Sequence, residues 1–181
     1  MQTARTTKKG TFACGATFGV LEDSSSAIPT IEATVRYGIT KRWDLGGRFD
    51  AMGNMHFDTK VQFIGNRKSM FAASTGAGIS HYGFEFGSDQ SIIHLLLPLY
   101  ISYYPAQTVG LYCSPRYVQR IMNYDKTDNS SAIVMADFVG SAIGVRLGER
   151  WAFVAEYSFL NNIHENEVYS QISVGVVCGI N

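Results

Sequence analysis

The sequence predicts an all-β chain: a closed, antiparallel, up-and-down β-barrel of about ten strands around a polar lumen. Three observations predict it. Apolar and polar residues alternate with a period of two along most of the chain, as in "PTIEATVRYGITKRWDLGGRFDA" (Pro29 to Ala51), and successive strand side chains point to opposite faces. The alternating runs are about ten residues long, roughly twice an ordinary globular strand and enough for a tilted strand to cross a bilayer. The connections between them are short and long by turns.

Taken in order, strands are expected over Gly10–Leu21, Thr30–Thr40, Trp43–Met52, Met55–Ile64 and Met70–His81, then Ile92–Tyr103, Val109–Ile121, Ala136–Leu147, Trp151–Leu160 and Val168–Ile180. "TKRW", "GNRKS", "PAQT" and "GERW" read as tight turns. "EDSSSAIP", "GFEFGSDQS", "MNYDKTDNSS" and "NNIHENE" read as polar loops, with the Gly53-Asn54 connection short. Residues 1–9 form a polar amino-terminal tail, and the whole chain is expected to be a single barrel domain. That tail lacks the apolar segment of a secretory signal, which fits a mature form already cut.

The two parities differ in kind. One carries Ile31, Ala33, Val35, Leu45, Phe49, Phe57, Val61, Phe63, Leu95, Leu97, Leu99 and Ile101, and is expected to be a lipid face free of charge. The other carries Glu32, Arg36, Asp44, Arg48, Asp50, Asp58 and Lys60, followed by Arg116, Arg120, Arg146 and Glu156. So many charges in a dry core would each cost several kcal/mol, roughly, unless paired. In a lumen they neutralise one another across neighbouring strands. Arg48 is expected to bridge at least two of Glu32, Asp50 and Asp58. A barrel of this size is just filled by its own side chains, so the lumen should be narrow or plugged.

"YGITKRWDLGGRF" and "GVRLGERWAFVAEY" each place Arg-Trp at the start of an outgoing strand. Trp43 and Trp151, with Tyr37, Tyr103 and Tyr157, are expected at the membrane interface, where amphipathic rings suit the headgroup level. With that turn, and the closing strand "SQISVGVVCGI", the chain resembles the small outer-membrane β-barrels of Gram-negative bacteria, the broad OmpA/OmpX-like class. The resemblance implies an outer-membrane location, with both termini and the short turns periplasmic and the longer loops at the cell surface.

Pro98 and Pro115 each remove a ladder donor from a strand interior, which predicts a bulge or a gap in pairing where β-strands bring them together. Cys14, Cys113 and Cys178 show no metal-knuckle spacing and fall on the apolar parity; a Cys14–Cys178 disulfide is open but not favoured. His56, His81 and His164 lie toward the long-loop end, with Asp50, Asp58, Glu85, Asp89, Glu165 and Glu167. They are the candidates for a metal or pH-sensing site, but no ligand spacing connects them, and neither a metal nor a cofactor is expected.

The 15 basic and 15 acidic residues cancel, which removes the electrostatic case for nucleic acid. The expected partner is the lipid bilayer, with protein partners at the loops. No catalytic motif is assigned. The function expected is a structural or interaction platform, with a small-solute pore and a lipid- or peptide-hydrolysing enzyme at the extracellular end as alternatives.

Overall fold

The computed structural model describes residues 3–22, 26–82, 91–126, 130–165 and 167–180. Ten antiparallel strands follow one another: β1 (Phe12–Glu22), β2 (Ala27–Gly38), β3 (Trp43–Asp50), β4 (Met55–Ile64), β5 (Phe71–Tyr82), β6 (Ser91–Ala106), β7 (Val109–Lys126), β8 (Ser130–Leu147), β9 (Trp151–Asn162) and β10 (Val168–Ile180). Each pairs with its chain neighbours, and β1 closes on β10 in a continuous register from Phe12↔Ile180 to Glu22↔Ser170. Closure leaves no strand edge whose backbone groups would go unsatisfied in hydrocarbon.

Register turns the sequence parity into two walls. Phe18, Ile31, Phe57, Leu97, Ile143 and Phe153 face outward, Phe153 at 70% exposure, while Asp44, Lys60, Gln62, Ser74 and Ser102 are all but fully buried inside. An apolar exterior around a polar interior inverts a water-soluble core and matches a bilayer as solvent.

The outer wall is not wholly uncharged, contrary to the expectation of a charge-free lipid face. Asp137 stands on the outward parity of β8, where it accepts hydrogen bonds from the Tyr117 hydroxyl (2.5 Å) and Gln119 Nε2 (3.4 Å) and lies 3.7 Å from His164. A carboxylate is tolerated there because it sits toward the long-loop end and is ringed by polar groups.

Strand bounds depart from expectation at β2, which begins at Ala27, at β6, which runs on to Ala106, and most in one hairpin. β7 and β8 each run 18 residues, so most of "MNYDKTDNSS" is paired strand, with residues 127–129 outside the described chain. Pairing continues to Lys126↔Ser130 although side-chain alternation fades in "NYDK", because the backbone ladder closes regardless of which face is apolar. The loop residues 83–90, with Glu85 and Asp89, and residues 23–25 also lie outside the described chain.

At the prolines, the β6–β7 ladder reaches Pro98↔Arg116 and resumes at Ile101↔Cys113 in the same register. The irregularity is a gap rather than a bulge. Thr75 Oγ1 donates to the Pro98 carbonyl at 3.0 Å.

Residues 4–7 lie inside the barrel, at the short-turn end. Ala4 and Thr6 are buried, and the tail returns to the wall through the Lys9↔Gly38 bridge before β1 begins. The polar tail is thus a lumen segment over these residues.

Candidate functional site

The lumen is built in three layers, read from the short-turn end. The lowest layer is the tail itself. Ala4 N donates to Ser102 Oγ (2.8 Å), Thr6 N to Gln62 Oε1 (3.2 Å) and Thr7 N to Asp44 Oδ2 (2.8 Å). Lys60 Nζ donates to the carbonyls of Thr3 (2.9 Å) and Arg5 (3.0 Å), so a buried ammonium is solvated by backbone in place of water. The Arg5 guanidinium lies 3.3 Å from the Tyr104 ring centroid and donates to the Ser69 carbonyl at 2.8 Å.

Above the tail sits a charge cluster centred on Arg36. Its guanidinium holds Asp44 Oδ1 through Nε (3.2 Å) and Nη2 (2.6 Å), and Asp58 through Nη1 (3.0 Å to Oδ2) and Nη2 (2.7 Å to Oδ1). Lys60 Nζ lies 3.7 Å from Asp44 Oδ2. Gly46, between Asp44 and Arg48 on β3, makes this possible: a Cβ there would overlap the Arg36 guanidinium.

Arg48 does not take the bridging role expected of it. Among the described residues its one carboxylate contact is Glu32, at 3.5 Å, because Arg36 occupies Asp58 and the hairpin occupies Asp50. Asp50 accepts from Met52 N (2.9 Å), Asn54 N (3.0 Å) and Asn54 Nδ2 (2.7 Å), which makes it a turn cap around Gly53, where φ is 84°. Arg146 caps a turn as well, through Nη2 to the Glu149 carbonyl (3.0 Å). Glu156 accepts from the Tyr112 hydroxyl at 3.0 Å.

The third layer is an open cup of about 160 Å³ toward the long-loop end, walled by Glu32, Arg48, His56, Ser80, His94 and Arg116 among others. A smaller chamber of about 50 Å³ lies below it, and Arg48, His56 and Arg116 border both. Arg116 Nε is buried without a hydrogen-bond partner, and among the described residues Arg116 has no carboxylate within ion-pair reach. Arg120 donates from Nε to His94 Nε2 at 3.0 Å and packs over the Phe138 and Tyr169 rings. A guanidinium only donates, so His94 Nε2 is the unprotonated nitrogen.

The histidines do not converge. His56 points into the cup, His81 is exposed on the outer wall, and His164 stands by Asp137. Among the described residues no three His, Cys, Asp or Glu side chains group as metal ligands. His56 instead has two close neighbours: Nδ1 is 2.7 Å from Ser80 Oγ and Nε2 is 3.2 Å from Asp58 Oδ2. Ser80 escaped the sequence reading because serine is unremarkable on a polar parity; only the β4–β5 register, His56↔Ser80, selects it.

On the outside, Trp43 and Trp151 open β3 and β9 at the short-turn end, and the Trp43 indole N–H donates to Thr59 Oγ1 at 2.5 Å. Tyr37 and Tyr103 lie at the same end of β2 and β6, opposite Phe12 and Phe71. Tyr157 lies midway along β9 and belongs to the apolar band, since its strand position carries it well above Trp151. Cys14 stands directly opposite Cys178 across the β1–β10 seam, and all three cysteines are free thiols.

No family model matches the chain, and no curated protein matches it. Solved structures do. Neisserial surface protein A is 11% identical over 93% of this chain and 95% of its own, with a TM-score of 0.47. Ail, the attachment invasion locus protein of Yersinia pestis, in complex with the heparin analogue sucrose octasulfate, is 8% identical over 94% and 97%, with a TM-score of 0.47. The N-terminal β-barrel domain of Pseudomonas aeruginosa OprF is 9% identical over 93% and 98%, with a TM-score of 0.41. The architecture in hand, a closed antiparallel barrel with an apolar wall, is that of a transmembrane β-barrel.

Proposed function

We propose that this barrel is a non-conducting platform of the bacterial outer membrane, with both termini and the short turns in the periplasm and the longer connections at the cell surface. The observation that carries this reading is the tail at residues 4–7, hydrogen-bonded to Asp44, Gln62 and Ser102 across the short-turn end of the lumen. Below the cup, the Arg36 cluster and the tail leave charged groups tied to one another or to backbone carbonyls. A pore needs a continuous water path, and here the tail fills the short-turn end of the lumen and engages Asp44, Lys60, Gln62 and Ser102. The long β7–β8 hairpin then offers the recognition surface, carried on a rigid wall.

Single-channel recording in a planar bilayer tests the proposal. The intact chain should be silent, and deletion of residues 3–7 should produce conductance steps. Steady conductance by the intact chain would favour the pore instead.

A further inference from the structure

We propose that Ser80, His56 and Asp58 form a nucleophile–base–orienter set in the cup, able to transfer an acyl group from a small ester bearing a negative charge. Three strand positions make it. His56 and Asp58 are two apart on β4 and so share the lumen face, and Ser80 lies opposite His56 on β5. Ser80 Oγ to His56 Nδ1 is 2.7 Å and His56 Nε2 to Asp58 Oδ2 is 3.2 Å, both within the reach such sets require.

The polarity of these bonds follows from donor and acceptor inventory. The Asp58 carboxylate is already gripped by Arg36 through both oxygens and has only lone pairs to offer, so it accepts the proton of His56 Nε2. That leaves Nδ1 as the lone-pair nitrogen, and it accepts from the Ser80 hydroxyl. The imidazole is therefore in the tautomer a general base needs. Arg36 fixes the carboxylate, the carboxylate fixes the ring, and the ring faces the serine.

The site also has an approach and a counter-charge. His56 and Ser80 both border the cup of about 160 Å³. Around the site the ladder is continuous, with His56 paired to Arg48 on one side and to Ser80 on the other and Ser80 paired to His94, so the groups placed to meet an oxyanion there are side chains. Arg48, opposite His56 on β3, and Arg116, whose Nε has no partner, border the same cup. Glu32 and Glu156 are the nearest acids to these cations, the former 3.5 Å from Arg48 and the latter bound by Tyr112. The guanidinium pair selects an anionic group on the substrate or stabilises the developing oxyanion.

In the step proposed, Ser80 Oγ bonds to the ester carbonyl carbon as its proton passes to His56 Nδ1. The carbonyl π pair moves to oxygen and returns, the carbon–alkoxy bond breaks, and the leaving alkoxide takes the proton from His56. Water, activated by the same nitrogen, then hydrolyses the acyl-serine. No oxidant or further reactant enters.

The test uses the full chain folded in a non-ionic detergent and a serine-reactive fluorophosphonate. Intact mass should rise by one adduct, and peptide mapping of the unsubstituted protein should place it on Ser80. Ser74, buried with an unpartnered hydroxyl in the closed half, serves as internal comparator and should stay unlabelled. His56→Gln should slow labelling by about 10²–10⁴-fold, while Arg146→Gln, at a turn of the far end, should leave the rate unchanged. Hydrolysis of a chromogenic short-chain ester should follow labelling in each case. An unlabelled protein, an adduct on another serine, or His56→Gln labelled at the parent rate would overturn the proposal, whatever the bilayer recordings show.

Discussion

The two halves of the lumen share one sequence pattern and reach opposite states. In the half next to the short turns, Arg36 holds two carboxylates, Lys60 is solvated by tail carbonyls, and Asp44 is fully buried. In the half next to the long connections, among the described residues Arg48 has a single carboxylate contact at 3.5 Å, Arg116 Nε has no hydrogen-bond partner, and an open cup remains. Both halves alternate charge with apolar residues in the same way. The difference is the amino-terminal segment, which brings backbone donors and acceptors to one end only. Charges in a barrel are thus structural where something fills the space between them and available for chemistry where nothing does.

Breaking the closed half should have the largest effect. Arg36→Ala leaves Asp44 and Asp58 in a dry cluster without their shared cation, and should cost roughly 3–5 kcal/mol, read as a fall in the urea midpoint of the detergent-folded protein. A midpoint unchanged from the parent would mean that water reaches this layer.

Gly46→Ala probes the same layer without touching a charge. Its Cβ would displace the Arg36 guanidinium, so a smaller loss of about 1–3 kcal/mol is expected, typical of overpacking. Combined with Arg36→Ala, the glycine substitution should add little, because the group it collides with is gone.

The open half should be far less sensitive. Arg48→Ala removes one long, partly solvated contact and should cost roughly 1 kcal/mol or less. A loss equal to that of Arg36→Ala would show the cup to be as dry as the closed half and would erase the contrast between them.

The smallest effect on stability comes from the seam that joins both halves. Directly opposed residues on antiparallel strands have Cα atoms about 4.5–5.5 Å apart, within disulfide range. Catalysed oxidation should therefore link Cys14 to Cys178, with Cys113 left free, and give a faster-migrating band on a denaturing, non-reducing gel. Linkage of Cys113 to either partner would contradict the closed register.

By itself, the sequence determined the strand order and the two faces, because a period of two in side-chain direction is a local property of extended backbone. The outward side of Trp43 and Trp151, the inward side of Arg36 and Asp58 and an interruption of pairing near Pro98 were legible from parity. Partner choice was not. Whether Arg36 or Arg48 takes Asp58 depends on how strands slide past one another and on the room left at Gly46, and Ser80 gains its meaning only from standing opposite His56. Nor does a polar tail of no evident periodicity announce that it will enter the barrel. That outcome rests on Asp44, Lys60, Gln62 and Ser102, drawn from three separate strands, presenting unsatisfied groups to one small volume. Only closure of the tertiary structure creates that volume, and with it the demand for donors and acceptors that the tail supplies.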